Sequence, residues 1–185
     1  MLYLLKNKYD IYYMDNFVQY RQIYSDEYLA KIAEYTLHDA AWVETDAGVR
    51  LVSNLKEDPD AGFLVDEYMG KLNEIEKEVY SSMILRSGGY TGDSKVSKYE
   101  VGGEFDWHLD STRKSSTNSN WTRMLTTITY LNDDYTGGET EIHGGLTITP
   151  KKNHTLCFPS GIPYIHRGKP VIEGTKYLLV THVWT

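Results

Sequence analysis

The sequence predicts a mainly β protein with flanking α-helices: a jelly roll whose N-terminal helices pack on one face. Three observations carry this expectation. From about residue 95 the chain is a succession of short apolar segments separated by Gly- and Pro-containing turns. Before that point apolar residues recur with helical spacing instead. Two helices with apolar stripes and no other obvious partner need a sheet to bury them.

The elements follow in order. Ser25-Asp26-Glu27 offers an N-cap and early negative charge, and Tyr28, Leu29, Ile32, Ala33 and Leu37 then fall on one helical face. Residues 42–45 and 49–52 read as short strands around the Asp46-Ala47-Gly48 turn. Phe63, Leu64, Tyr68, Leu72, Ile75, Val79 and Met83 mark a long amphipathic helix over residues 61–85, which the glycines of residues 87–93 end. Later strands are expected near 96–99, 105–110, 123–131, 139–142, 146–149, 155–158, 164–166, 170–172 and 176–184. Turns come from Gly137-Gly138, Gly144-Gly145, Pro150, Pro159-Ser160-Gly161 and Gly174. So many short strands imply two sheets folded as a jelly roll. Residues 111–120, rich in Ser, Thr and Asn, are either a substrate loop or a solvated hairpin connection.

At 185 residues the chain suits one domain, with residues 1–94 a helical support region and 95–185 the jelly-roll core. A net charge of −7 argues against nucleic-acid partners, which require clustered Lys and Arg. Cys157 is the only cysteine, so no intrachain disulfide is possible. The apolar start, residues 1–5, has no basic leader and is too short for a signal or a membrane span. A soluble, cytoplasmic protein with no membrane partner is expected, of unspecified oligomeric state.

His108 and Asp110, two apart on an extended strand, present both side chains to one face. With His166 they form two imidazoles and one carboxylate, a set that holds a divalent metal on one side and leaves the opposite positions open. A curled sheet is needed to bring His166 to the other two. Trp107, at the intervening position, is expected on the opposite face, filling core.

Context narrows the reading. Tyr99 precedes His108, and Arg123, the run Thr126 to Asn132, and Gly137-Gly138-Glu139-Thr140 follow Asp110. His166 is followed ten residues later by Lys176. This order and spacing resemble the 2-oxoglutarate and Fe(II)-dependent dioxygenases, most closely their prolyl 4-hydroxylase branch, over roughly residues 95–185. The resemblance implies a double-stranded β-helix and an iron site of His108, Asp110 and His166. It also implies Fe(II), 2-oxoglutarate and O2 as cofactor and cosubstrates, with ascorbate as a candidate reductant. Lys176 would receive the distal carboxylate of 2-oxoglutarate, since an inward ammonium must be paired with an anion. Tyr130 and Tyr99 correspond to tyrosines of the same pocket, and Arg123 to an arginine that touches substrate.

The pattern departs from the family after Lys176. Family members commonly place Thr four and Trp six residues on, whereas this chain has Val180 and His182, with Trp184 beyond. These share parity with Lys176, so His182 and Trp184 are candidates for the substrate wall. The expected reaction is hydroxylation of an aliphatic C–H bond, most concretely on proline in a peptide or protein. The alternatives are a hydroxylase of a free amino acid or other small molecule, and a metal-binding jelly roll without oxygenase activity.

Overall fold

The computed structural model describes residues 5–6, 12–13, 17–38, 42–45, 50–54, 90–116 and 119–184. The first elements are β1 (Leu5–Lys6), β2 (Tyr12–Tyr13) and β3 (Gln19–Gln22), none of which the apolar pattern announces. Helix α1 (Asp26–His38) begins where its cap predicts. The Ser25 hydroxyl accepts the Tyr28 amide at 3.2 Å, satisfying a donor that the helix start leaves open, and the Ser25 carbonyl accepts the Leu29 amide at 3.1 Å as the first bond of the helix. Strands β4 (Val43–Glu44) and β5 (Arg50–Asn54) pair antiparallel as expected. The 46–48 turn and the expected helix over 61–85 lie outside the described residues.

Next come β6 (Tyr90–Tyr99), β7 (Phe105–His108), β8 (Arg113–Ser116) and β9 (Ser119–Tyr130). Strand β6 starts inside the glycine-containing segment that was expected to be a break. It pairs with the last strand down to Tyr90 opposite Trp184, and Gly92 falls at the bulge where the register shifts between His182 and Val183. Strand β8 pairs with the start of β9, so residues 111–120 include a hairpin rather than an unpaired loop. The remaining strands are β10 (Thr136–Gly137), β11 (Thr140–Ile142), β12 (Leu146–Ile148), β13 (His154–Pro159), β14 (His166–Gly168), β15 (Val171–Glu173) and β16 (Lys176–Trp184). Strand β14 begins at His166 rather than ending there.

The large sheet runs β3-β13-β9-β16-β6-β5-β4, and the small one β12-β11-β14-β7; every pairing is antiparallel. Strand parity sorts β16 into two environments. Leu179 and Val183 join Leu125 of β9 and Val96 of β6 against Tyr28, Leu29, Ile32 and Tyr35 of α1. Full burial of an aliphatic such as Ile32 contributes about 1.5–3 kcal/mol. Leu37 departs from this stripe and is exposed at the last turn of the helix.

The opposite parity of β16 faces the small sheet. Leu178 packs with Tyr99, Tyr130, Ile142, Leu146, Phe158 and Val171, a core drawn from both sheets. This is a jelly roll with one described helix on its outer face. Trp107 does not fill core: it sits on the outside of the small sheet, 41% exposed, with the Arg167 guanidinium 4.7 Å from its ring. That face of the small sheet has no layer over it among the described residues, so Trp107 meets solvent, while a register shift in the β7–β14 pairing leaves Phe105 on the inner side with His108.

Candidate active site

The two histidines are cross-strand partners. His108 ends β7, His166 opens β14, and the antiparallel register sets them directly opposite, with ring centroids 4.2 Å apart. Asp110 lies two residues beyond the end of β7, not on the strand itself, yet its carboxylate reaches both rings. Its Oδ1 is 3.5 Å from Nε2 of His108 and its Oδ2 is 3.4 Å from Nε2 of His166. One donor atom from each of the three residues lies within 4.8 Å of the others.

Each ring is aimed by its own backbone. Nδ1 of His108 lies 2.7 Å from the Asp106 carbonyl oxygen, and Nδ1 of His166 lies 3.1 Å from that of Tyr164. A proton on Nδ1 satisfies both carbonyls and leaves the Nε2 lone pairs pointing toward Asp110, the tautomer a metal needs. Phe105 lies against His108 at 3.8 Å between centroids, and Phe158 meets His166 edge-on at 4.7 Å. Burial lowers the His166 pKa, favouring the neutral ligand form. Burial alone would raise the Asp110 carboxyl, but the His108 and His182 side chains and the His166 ring hold it well below the usual carboxylate range. Two imidazoles and a carboxylate so arranged fit a ferrous ion.

The other end of the same pocket holds a cation. Lys176 opens β16 opposite Tyr99 of β6 and is 2% exposed. Its ammonium donates to the Gly138 carbonyl at 2.6 Å and lies 5.3 Å and 5.8 Å from the ring centroids of Tyr99 and Tyr130. Tyr130, fully buried, donates its hydroxyl to Thr140 Oγ1 at 2.7 Å. Among the described residues no carboxylate forms an ion pair with Lys176. Burial therefore brings its pKa down to about 7, with the charge of Glu139 acting the other way. Such a cation, in a pocket that also contains His108, Asp110 and His166, is set to receive an anion.

Residues 94–184 match the family described as the 2OG-Fe(II) oxygenase superfamily. This half of the chain belongs to that superfamily. The oxygenase uses Fe(II), 2-oxoglutarate and O2. No curated protein matches the sequence. Solved structures do match the fold. The viral collagen prolyl hydroxylase of Paramecium bursaria Chlorella virus-1, in complex with 2OG, superposes with a TM-score of 0.73 at 17% identity, over 91% of this chain and 96% of that one. A Pseudomonas putida prolyl-4-hydroxylase gives 0.66 at 16% identity over 90% and 91% of the two chains. A Trichoplax adhaerens prolyl hydroxylase, in complex with a peptide fragment of a hypoxia-inducible factor, gives 0.65 at 15% identity over 91% and 83%. At these identities the likeness establishes the fold.

Near the metal ligands, the oxygenase presents a more polar wall than its spacing suggests. Arg123 and Tyr130 are seven apart, which on a regular strand would put them on opposite faces. The register shifts between Val183 and Trp184, where Val183 faces Leu125 but Trp184 faces Arg123, so a bulge around Met124 returns Arg123 to the inner side. The Arg123 guanidinium then lies 4.9 Å from the ring of fully buried Trp184. His182 is 2% exposed and its Nε2 stands 3.5 Å from Asp110 Oδ2, too long for a hydrogen bond. Burial lowers the His182 pKa, so the ring is neutral near pH 7.

Several pocket residues escaped the sequence reading. Lys95 lines the pocket from β6, on the same parity as Tyr99, and that parity could have found it. Gly138 stood in a noted block, but only the fold shows that its carbonyl receives Lys176. Thr126 stood in a noted run and Ser160 in a noted turn, but only the fold brings Thr126 to Asp110 and Ser160 to Thr126.

Proposed function

We propose that this oxygenase hydroxylates an aliphatic C–H bond of prolyl residues in a peptide or protein. One observation carries the reading: a single pocket has the His108, Asp110 and His166 donors at one end and the buried ammonium of Lys176 at the other. The three donors would hold Fe(II), and Lys176, with Tyr99 and Tyr130 beside it, would hold the distal carboxylate of 2-oxoglutarate. A metal held there would supply O2 activation coupled to decarboxylation of the cosubstrate. Overall, 2-oxoglutarate, O2 and the C–H substrate become succinate, CO2 and the alcohol.

The chain's own residues do the orienting. The backbone carbonyls of Asp106 and Tyr164 fix the imidazole tautomers, the Gly138 carbonyl fixes the ammonium, and the apolar walls of Phe105, Ile128 and Leu178 keep the cleft dry. Arg123 and Trp184 would contact substrate, with His182 between them and the metal. The prolyl choice is supported by the fold shared with three prolyl hydroxylases. Ascorbate as reductant, a single domain over residues 1–185 and a reducing cytoplasmic setting, consistent with lone buried Cys157, complete the proposal. No described helix is long and apolar enough to cross a membrane.

The polar groups of Lys95 and His182 in the pocket favour, as a second reading, a free amino acid substrate. Succinate formation and product mass, measured with proline-rich peptides against free amino acids, decide between them. Hydroxylated peptide is the expected product; turnover stimulated by free amino acids alone would replace the peptide reading.

A further inference from the structure

We infer that Thr126, backed by Ser160, is a positioning residue that fixes the Asp110 carboxylate and so sets the metal affinity of the site. The inference rests on Asp110 being a metal ligand, as proposed above. Because β7 ends at His108, strand pairing does not hold Asp110, and its orientation must come from elsewhere.

Thr126 sits on the inner face of β9, opposite His182 of β16 and Phe158 of β13. It is fully buried, and its hydroxyl donates to Asp110 Oδ2 at 2.8 Å. The same hydroxyl lies 2.9 Å from Oγ of Ser160, also fully buried. A hydroxyl has one proton, and an ionised carboxylate can only accept. The proton of Thr126 therefore goes to Asp110, and the Ser160 contact must be donated by Ser160. The relay has one direction, Ser160 to Thr126 to Asp110.

Ser160 also ties the backbones together. Its carbonyl accepts the amide of Ser111, next to Asp110, at 2.8 Å, and its own amide donates to the Met124 carbonyl at 2.9 Å. One serine thus anchors both the chain that carries the ligand and the strand that carries its hydrogen-bond donor. His182 Nε2, 3.5 Å from the same Oδ2, bounds the carboxylate from another side. Groups that orient a ligating carboxylate in this way govern metal affinity without touching the metal.

Mn(II) titration of the whole protein without substrate, read by the electron paramagnetic resonance of free Mn(II), tests this. Thr126→Val keeps the shape and removes the donor, and should weaken Mn(II) binding by about 10- to 100-fold. Thr126→Ser keeps the hydroxyl and should return affinity to within about threefold of the parent, which a purely steric role would not do. Ser160→Ala should fall between. A folded Thr126→Val protein with parental affinity, or Val and Ser variants equally weakened, overturns the inference. Should Thr126→Val fail to fold, parental affinity in Ser160→Ala overturns it instead. A parent protein without Mn(II) affinity would overturn the proposed function as well, whereas a binding parent with unaffected variants removes this inference alone.

Discussion

The ammonium of Lys176 lies 2.6 Å from the carbonyl oxygen of Gly138, so its hydrogen-bond partner within the protein is a neutral acceptor. The arrangement makes cosubstrate binding depend on pH. With its pKa lowered to about 7, Lys176 is increasingly neutral above that pH in the free protein, so a dicarboxylate must bring a proton to bind it. The apparent affinity for 2-oxoglutarate should fall by up to about tenfold per pH unit above neutrality, and isothermal titration in buffers of different ionisation enthalpy should show proton uptake. Affinity independent of pH between 7 and 9 would contradict the assignment of the distal carboxylate to Lys176.

Stability should move in the opposite sense. The folded-state pKa of Lys176 is about 7 against the ordinary lysine value of 10.5, so between these limits the unfolded chain binds more protons than the folded one. The penalty for burying the cation is complete below pH 7 and is relieved as pH rises through the window. The melting temperature of the ligand-free parent, relative to Lys176→Met, should therefore rise from pH 7 to pH 9. Lys176→Met should match or exceed the parent in stability at pH 6, because an apolar side chain replaces a buried cation, while requiring far more 2-oxoglutarate for turnover. A Lys176→Met protein markedly less stable at pH 6 would show that the lysine is structural.

Gly138 has φ +66°, and a Cβ there would stand 3.1 Å from Lys176 Cδ and from Tyr135 Cε2. Gly138→Ala meets both a backbone cost of about 1–2 kcal/mol and a clash against the side chain that must reach the pocket. Lower thermal stability together with a raised KM for 2-oxoglutarate is expected. Loss of stability with an unchanged KM would mean that the Lys176 end of the pocket adjusts freely.

Much of this site was legible in the sequence because its parts obey local periodicity. Lys176, Leu178, Val180 and His182 face one way on β16 by parity alone, and a buried ammonium at the end of that row demands an anion. The Ser25 cap of α1 was equally local. What could not be read depends on pairing between distant segments. Asp110 reaches the metal pocket from beyond its strand, and Arg123 depends on a bulge visible only against Trp184. Short edge pairings such as β3 with β13 have too few apolar residues to announce themselves, and Trp107 faces out because no layer covers the small sheet among the described residues. Ser160 and Thr126, 34 apart in sequence, are two ordinary hydroxyl residues until the fold joins them at Asp110.

The bulge that turns Arg123 inward places its guanidinium 4.9 Å from the Trp184 ring, well away from Lys176 in the pairing of β9 and β16. Arg123→Gln should raise the KM for peptide by about tenfold. It should leave the 2-oxoglutarate requirement and the visible charge-transfer band of the anaerobic Fe(II)–2-oxoglutarate complex unchanged. A loss of that band in Arg123→Gln would place the arginine at the cosubstrate instead.

Because His108 and His166 are cross-strand partners and Asp110 bridges them, a bound metal would clamp β7 to β14 at the free edge of the small sheet. A ligand that binds only the folded form at 100 times its dissociation constant adds about 2.7 kcal/mol of stability. For a chain of this size that corresponds to a rise of roughly 5–11 °C in melting temperature. Mn(II) should produce such a rise in the parent and EDTA should reverse it. In His108→Ala and Asp110→Ala the rise should vanish along with succinate production, while Arg123→Gln should keep it. Turnover at the parental rate in His108→Ala, or an equal metal-dependent shift in that variant, would show that the metal sits elsewhere.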